Sequence, residues 1–239
     1  MRSGNKTATA VIMQPTYLPW IGYFDLMDQS DIFVFLDSVQ FTKRSWQQRN
    51  RIKSADGELM LTVPVLSKGL RDQKISETAV DVSSDFRRKH STAIEHAYAR
   101  APHYAEYSKE FHVLLAKGHS SLAELNIELI RWLAGSFGIR KEFVRSSQTK
   151  VAGRSSELLV GICRELGVSR YLSAAGSREY IEEEKKFEGS GLELVYHDYH
   201  HPEYSQMHGA FLPYLSALDL LFNEGGTKGL EILRAGRVA

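Results

Sequence analysis

The chain has 239 residues, of which 43% are hydrophobic and 25% charged, a balance that excludes extended disorder, and its lone cysteine excludes an internal disulfide or a thiolate metal cluster. Lys and Arg number 30 against 29 Asp and Glu, so a formal charge of +1 gives no global attraction to nucleic acid or membrane, and any basic site must be local. The opening MRSGNKTATA lacks the apolar core of a secretory signal and no segment approaches the roughly 18 apolar residues of a membrane span, which predicts a cytoplasmic protein without membrane insertion.

Residues 9–14 read as a first strand, GYFDLMDQS as a short helix, and IFVFLD (32–37) as a second, buried strand, the spacing of a parallel βαβ unit. Between the first strand and the helix lies QPTYLPWIGY, crowded with proline and aromatic residues. The end of a parallel strand facing a helix N-terminus is where open α/β sheets bind ligands and where free backbone N–H groups favour an anion. Gln14, Tyr17, Trp20, Gly22 and Tyr23 are therefore candidate binding residues, the glycine for close backbone approach and the aromatics for stacking on a base or sugar. A rigid plug closing one end of the core is the alternative. Thr16-Tyr17-Leu18-Pro19 followed by Trp20-Ile21-Gly22-Tyr23 also has the outline of a nucleotidylyltransferase signature, one residue shorter and without either histidine. Those imidazoles stabilise transition-state charge, so the outline supports a nucleotide-binding shape and not nucleotidyl transfer.

VQFTKRSWQQRNRIKSADGELMLTVPV (39–65) contains an Asp56-Gly57 hairpin signal. With those two residues as the turn, Lys53 faces Met60 and Arg51 faces Thr62, so Ile52, Leu59, Leu61 and Val63 share one face. Arg49, Arg51 and Lys53 are expected on the other, exposed and directed into the cleft of the first loop. With Lys43 and Arg44, they form a cationic run free of acidic residues that suits a pyrophosphate or an RNA backbone. A solvated hairpin face is the alternative. Asp37 and Gln40, just after the second strand, are expected at the same sheet edge.

From about 85 to 138 the pattern is helical in three pieces, broken near Pro102 and at Gly118, the last opening with a Ser121 and Glu124 capping box and a stripe of Leu122, Leu125, Leu129 and Leu133. KEFVRSS is a third strand candidate. A helix over 155–166 stopped by Gly167, the strand SRYLSA, the helix SREYIEEEKKF, the strand LELVYHDY and a helix within LPYLSALDLLFNEGG complete the pattern. Cys163 falls on a buried helical stripe with Leu159, Ile162 and Leu166 and is expected in the core. The whole predicts a single α/β domain over 1–239, Rossmann-like, with a mainly parallel sheet, a basic β-hairpin and a helical insertion at about 85–138.

HDYHHPEYSQMHG (197–209) places four histidines within twelve positions. It has no His-x-x-x-His pair on a plausible helix and Pro202 interrupts it, so no metal is expected. His197, Tyr199 and His201 alternate onto one strand face, which suits substrate hydrogen bonds or general base work.

Taken together, the segments Gln14 to Phe24, Leu36-Asp37 with Val39-Gln40-Phe41, Lys43-Arg44, Arg49 to Lys53, Tyr171-Leu172-Ser173, Gly176, Tyr180, His201 to Gln206 and Ser216 to Asn223 resemble the WbqC-like protein family along nearly the whole chain. The resemblance adds Ser173 and Gln206 to the binding candidates. It implies an enzyme of bacterial surface polysaccharide (O-antigen, lipopolysaccharide) biosynthesis that transfers glycine or another small acyl group to the amine of a nucleotide-linked amino sugar. In that reading Tyr17, Trp20 and Gly22 shape the pocket, Arg49, Arg51 and Lys53 hold phosphates, and His201 or Asp37 is the base. No Walker motif is present, so no cofactor is expected and the acyl donor would arrive preactivated, as an aminoacyl-tRNA or a thioester. The competing class is a non-catalytic nucleotide-sugar or glycan-binding protein. The enzyme reading predicts that Gln14, Tyr17, Asp37, Tyr199 and His201 line a common pocket.

Overall fold

A computed structural model describes residues 8–238; the start of the N-terminal segment, MRSGNKT, lies outside the described residues. Five parallel strands form the central sheet: β1 (Thr9–Met13), β2 (Ile32–Phe35), β5 (Glu142–Arg145), β6 (Arg170–Ser173) and β7 (Glu193–Tyr196), in the order β5-β2-β1-β6-β7. The chain moves outward from β1 on one side and then returns to build the other side from β6. The carboxyl ends of β1 and β6 therefore flank the point where the winding reverses, which is where doubly wound sheets open a crevice. The β1–β2 register, Ala10 opposite Ile32 through Met13 opposite Phe35, is parallel as the βαβ spacing requires.

Alternation along the strands sends side chains to two apolar layers. Val11, Phe33 and Phe35 point to the layer that includes α1 (Ile21–Gln29) and three further helices, α2 (Phe86–Tyr98), α3 (Tyr104–Ala116) and α4 (Leu122–Ser136). Ala10, Ile12 and Val34 point to the opposite layer, with α5 (Ser155–Glu165) and α6 (Arg178–Glu184). Strands buried on both faces need continuous apolar runs, which IFVF and TAVIM supply. Leu122, Leu125, Leu129 and Leu133 are fully buried on α4, whose Ser121 hydroxyl accepts from the Glu124 amide. Cys163 is buried in the second layer, where desolvation pushes its thiol up to about 12, out of reach of nucleophilic use at neutral pH. Two helices close the chain, α7 (Ala217–Glu224) and α8 (Gly226–Ala235), the second not anticipated from the sequence. Among the described residues no helix is long and apolar enough to cross a membrane.

The hairpin of β3 (Arg49–Ser54) and β4 (Gly57–Thr62) forms a separate two-stranded sheet. Its register differs from the expected one by two residues: Ser54 pairs with Gly57 and Lys53 with Glu58, so the turn residues are Ala55 and Asp56. The Ser54 side chain explains the shift, donating to the Gly57 carbonyl at 3.0 Å and accepting from the Asp56 amide at 3.3 Å, while Gly57 takes φ +103°. A shift of two keeps every side chain on its face, so Ile52 and Leu61 remain buried and Arg51 remains on the opposite side. The expected exposed cationic face does not form: Arg49 and Arg51 are half-buried, and Lys53 departs furthest. It is buried, and its ammonium donates to Ala210 O (2.6 Å), Gln206 Oε1 (3.1 Å) and Gly209 O (3.2 Å), because the 206–210 loop folds over that end of the hairpin.

Candidate functional site

The loop after β1 is fixed from three sides. Asn50 Nδ2 donates to Leu18 O at 2.6 Å, Asn126 Nδ2 to Pro15 O at 3.0 Å and Tyr23 Oη to Gln14 O at 3.2 Å, and Gln47 Nε2 reaches Gln14 Oε1 at 2.8 Å. So clamped, it forms one wall of a cleft of about 380 Å³ lined by Met13, Thr16, Pro19, Trp20, Tyr23, Trp46, Asn50, Arg51 and Tyr214. The cleft lies at the N-terminus of α1, which has no acidic residue in its first turn and no side-chain cap, so its positive dipole end is uncompensated. Arg51 is held toward it by Glu58 (2.9 and 3.0 Å) and by the Tyr214 carbonyl (3.3 Å), and its guanidinium lies over the Trp46 ring at 5.5 Å. The Arg51–Glu58 pair is part-exposed and contributes about 0–1 kcal/mol, so an anionic ligand would exchange for Glu58 at little cost.

Trp20 separates this cleft from a second hollow lined by Tyr199, His200, His201, Glu203, Phe211, Pro213 and Tyr214. Its indole stacks on His201 (6.0 Å, 17°), meets Tyr199 edge-on (5.7 Å, 74°) and approaches Tyr214 (5.4 Å). Tyr214 borders both spaces and meets His201 edge-on at 5.1 Å. The His201 Nδ1 lies 2.9 Å from the Pro202 carbonyl, which only accepts, so Nδ1 carries the proton and Nε2 presents its lone pair. That Nε2 is buried with no partner, and burial lowers the imidazole pKa, keeping the ring neutral. An unpartnered buried acceptor costs about 1–3 kcal/mol, and a catalytic role is one of the reasons for which a fold keeps one.

The structure thus brings together Trp20, Tyr23, Arg51, Tyr199 and His201, with Gly22 beneath them. Gly22 lies directly under the Trp20 ring: a Cβ there would lie 2.2 Å from it, so the ring would have to move. In Gly22→Ala the ring can swing out into the cleft, and the roughly 1 kcal/mol of helix propensity gained offsets the lost stacking. Unfolding stability is expected to stay within about 1 kcal/mol of wild type while the near-ultraviolet dichroism of Trp20 changes; a loss above about 3 kcal/mol would mean that the ring is locked.

Other expected members lie elsewhere. Tyr17 is fully buried, its hydroxyl 2.8 Å from His90 Nδ1, and it lines neither the cleft nor the second hollow; it belongs to the core-plug alternative. Asp37 is buried and saturated by Arg145 (2.8 Å), the Ser147 amide and hydroxyl (2.9 and 2.8 Å) and Ser146 (3.2 Å), so it joins β2 to β5 away from the cleft. Gln206 spends its amide on Lys53 and Leu212. Ser173 is buried and bonds within β6 and its following turn. Gln40 donates to the Arg71 carbonyl at 2.9 Å, and Lys43 is exposed. Arg49 is half-buried on β3, with an unpartnered Nε. Gln14 supports the loop through Gln47, and the Tyr199 hydroxyl donates to Leu233 O at 2.9 Å. His197 pairs with buried Asp25 at 2.8 Å and His208 reaches Ala97 O at 2.7 Å, so the four histidines disperse, and among the described residues no three His, Cys, Asp or Glu are placed to hold a metal ion. Trp46 and Tyr214 were missed as site residues. The signal for Trp46 was a single large aromatic inside a polar run; Tyr214 had none beyond following Pro213.

His90, beneath Tyr17, makes an acid-sensitive point. Burial lowers its pKa to about 4 from 6.5, so it stays neutral in the fold while the unfolded chain takes up a proton first on acidification. Its effect is absent above about pH 7, and stability falls as pH drops from about 6.5 to 4, by up to about 3 kcal/mol. Denaturant titrations at pH 7 and pH 4.5 should show a smaller acid loss for His90→Gln than for wild type; equal losses would contradict this.

A family model for the WbqC-like protein family matches residues 14–230. The chain belongs to that family. An uncharacterized Mycobacterium tuberculosis protein, Rv1507c, is 37% identical over 216 residues, which cover 90% of this chain and 93% of that one. No solved structure matches the chain significantly. The WbqC-like match begins at Gln14, the residue that opens the clamped loop, and includes every residue lining the aromatic cleft except Met13.

Proposed function

We propose that this WbqC-like chain is a transferase of bacterial surface polysaccharide biosynthesis that attaches glycine or another small acyl group to the amine of a nucleotide-linked amino sugar. The reading rests on one observation: a neutral imidazole with a free, buried Nε2 lies behind the aromatic wall of a ligand-sized cleft. Trp20 and Tyr214 give a sugar ring apolar faces to stack on. Arg51 and the open N-terminus of α1 offer positive charge to the diphosphate. In the reaction, the amine nitrogen attacks the donor's ester or thioester carbonyl, the N–C bond forms and the C–O or C–S bond breaks. His201 Nε2 takes the proton from the attacking nitrogen and returns it to the leaving group. Because Nε2 is covered, Tyr214 would move aside as substrate enters.

The test is mass spectrometry of an amino-sugar nucleotide incubated with the protein and an activated glycine, supplied as a thioester or as glycyl-tRNA. A mass gain of one glycyl residue on the sugar nucleotide is expected. Tight binding of the sugar nucleotide with no mass gain from any donor would assign the cleft to a binding protein instead.

A further inference from the structure

The cations that the sequence groups in 43–53 divide in the fold. Lys53 is buried and Arg51 faces the cleft, whereas Lys43 and Arg44 stand exposed on a tight turn. Gln47 Oε1 accepts from the Thr42 amide (2.8 Å), Gln48 Oε1 from the Arg44 amide (3.1 Å), and Ser45 donates to Thr42 O (2.7 Å). These bonds hold Arg44 at φ +58°, a conformation that costs a non-glycine residue about 1–3 kcal/mol and persists where surroundings enforce it.

A second loop is tied to this one. Phe41 N donates to Gln73 O and Gln40 Nε2 to Arg71 O, both at 2.9 Å, and Gln40 pairs with Lys74. It adds Lys68, Arg71 and Lys74, all exposed. The 14 residues of 42–46 and 66–74 hold five cations and one carboxylate, Asp72, a net +4 in a chain whose total is +1. Among the described residues none of the five is in an ion pair. The surface runs into the cleft through Trp46, which ends the first loop, is 48% exposed and lines the cavity.

We propose that the paired loops 42–46 and 66–74 bind an RNA backbone, that of the donor carrying the acyl group, with Trp46 stacking on a base where the strand enters the cleft. This rests on the transferase reading and names its donor class. A single phosphate or pyrophosphate engages one or two cations, whereas a polyanion engages all five. Only a nucleic acid also offers bases to a half-exposed indole at the border of the patch.

Fluorescence anisotropy of a labelled, uncharged tRNA with the full chain tests it. For about five phosphate contacts on a single strand, the log–log salt slope is near −3.5, so affinity falls roughly 130-fold between 50 and 200 mM salt. Lys43→Glu/Arg44→Glu/Arg71→Glu, exposed positions that leave far-ultraviolet dichroism unchanged, is expected to weaken binding at 50 mM salt at least about 100-fold. Trp46→Ala is expected to weaken it about 5- to 150-fold. Absence of saturable RNA binding at 50 mM salt, a triple variant that binds like wild type, or binding to phosphatidylserine vesicles without binding to RNA would overturn the proposal. No acyl group or sugar is present in this titration, so its failure leaves transfer from a thioester donor standing.

Discussion

Asp219→Ala is expected to destabilise the protein by about 3–5 kcal/mol, a large share of the 5–15 kcal/mol that holds a typical domain together. Asp219 lies in the first turn of α7, fully buried, and accepts the phenols of Tyr98 at 2.8 Å and Tyr204 at 2.9 Å. Burial raises its pKa, while the two phenols and the nearby Lys53 ammonium oppose that rise. The Tyr98 hydroxyl in turn accepts from the Lys53 amide at 3.0 Å. One carboxylate thereby joins α2, the hairpin, α7 and the loop that carries His201. Truncation strands two buried phenols and removes the anion facing Lys53, and nothing else in the network supplies that charge. Asp219→Asn keeps an acceptor but not the charge and should fall between. Urea unfolding of the three proteins measures this, and an alanine variant within 1 kcal/mol of wild type would show that the network is not what holds these elements together.

His201→Ala is expected to lower turnover by about 10²- to 10⁴-fold, the usual contribution of a positioned general base, with folding intact. The residue is only half-buried, in an irregular segment, and its one hydrogen bond is to the neighbouring Pro202. KM for the sugar nucleotide should change far less than kcat if His201 acts on the proton rather than on binding. Since burial lowers its pKa, the wild-type rate should hold through neutral pH and decline only on acidification. A merely structural histidine would move neither kcat nor that acid limb selectively.

The sheet was legible because its signal is local. TAVIM and IFVF can bury both faces only inside a parallel sheet, and the helical pieces between 85 and 138 carry their own stops at Pro102 and Gly118. α8 was not legible: three glycines in GGTKG suppress its helical pattern, and the helix exists through packing against α1 and α7. At the site, Trp20, Arg51 and His201 could be read because type and position agreed. Asp37 and Lys53 could not, since nothing in a sequence reveals that Arg145, 108 residues on, or the 206–210 loop will consume their hydrogen-bonding capacity. Tyr17 looked like a twin of Trp20, yet one turns inward to His90 and the other lies across Gly22. Neighbouring aromatics in a loop diverge according to tertiary contacts that the loop itself does not specify.

The central claim is that the aromatic cleft and His201 form one reaction site, and a structure of the protein with an amino-sugar nucleotide tests it most directly. The sugar is predicted between Trp20 and Tyr214, the diphosphate beside Arg51 and the N-terminus of α1, and Tyr214 displaced so that the amine lies within about 2.6–3.2 Å of His201 Nε2. A sugar nucleotide bound away from Trp20, or bound in the cleft with its amine directed to solvent and Nε2 still covered, would contradict the account.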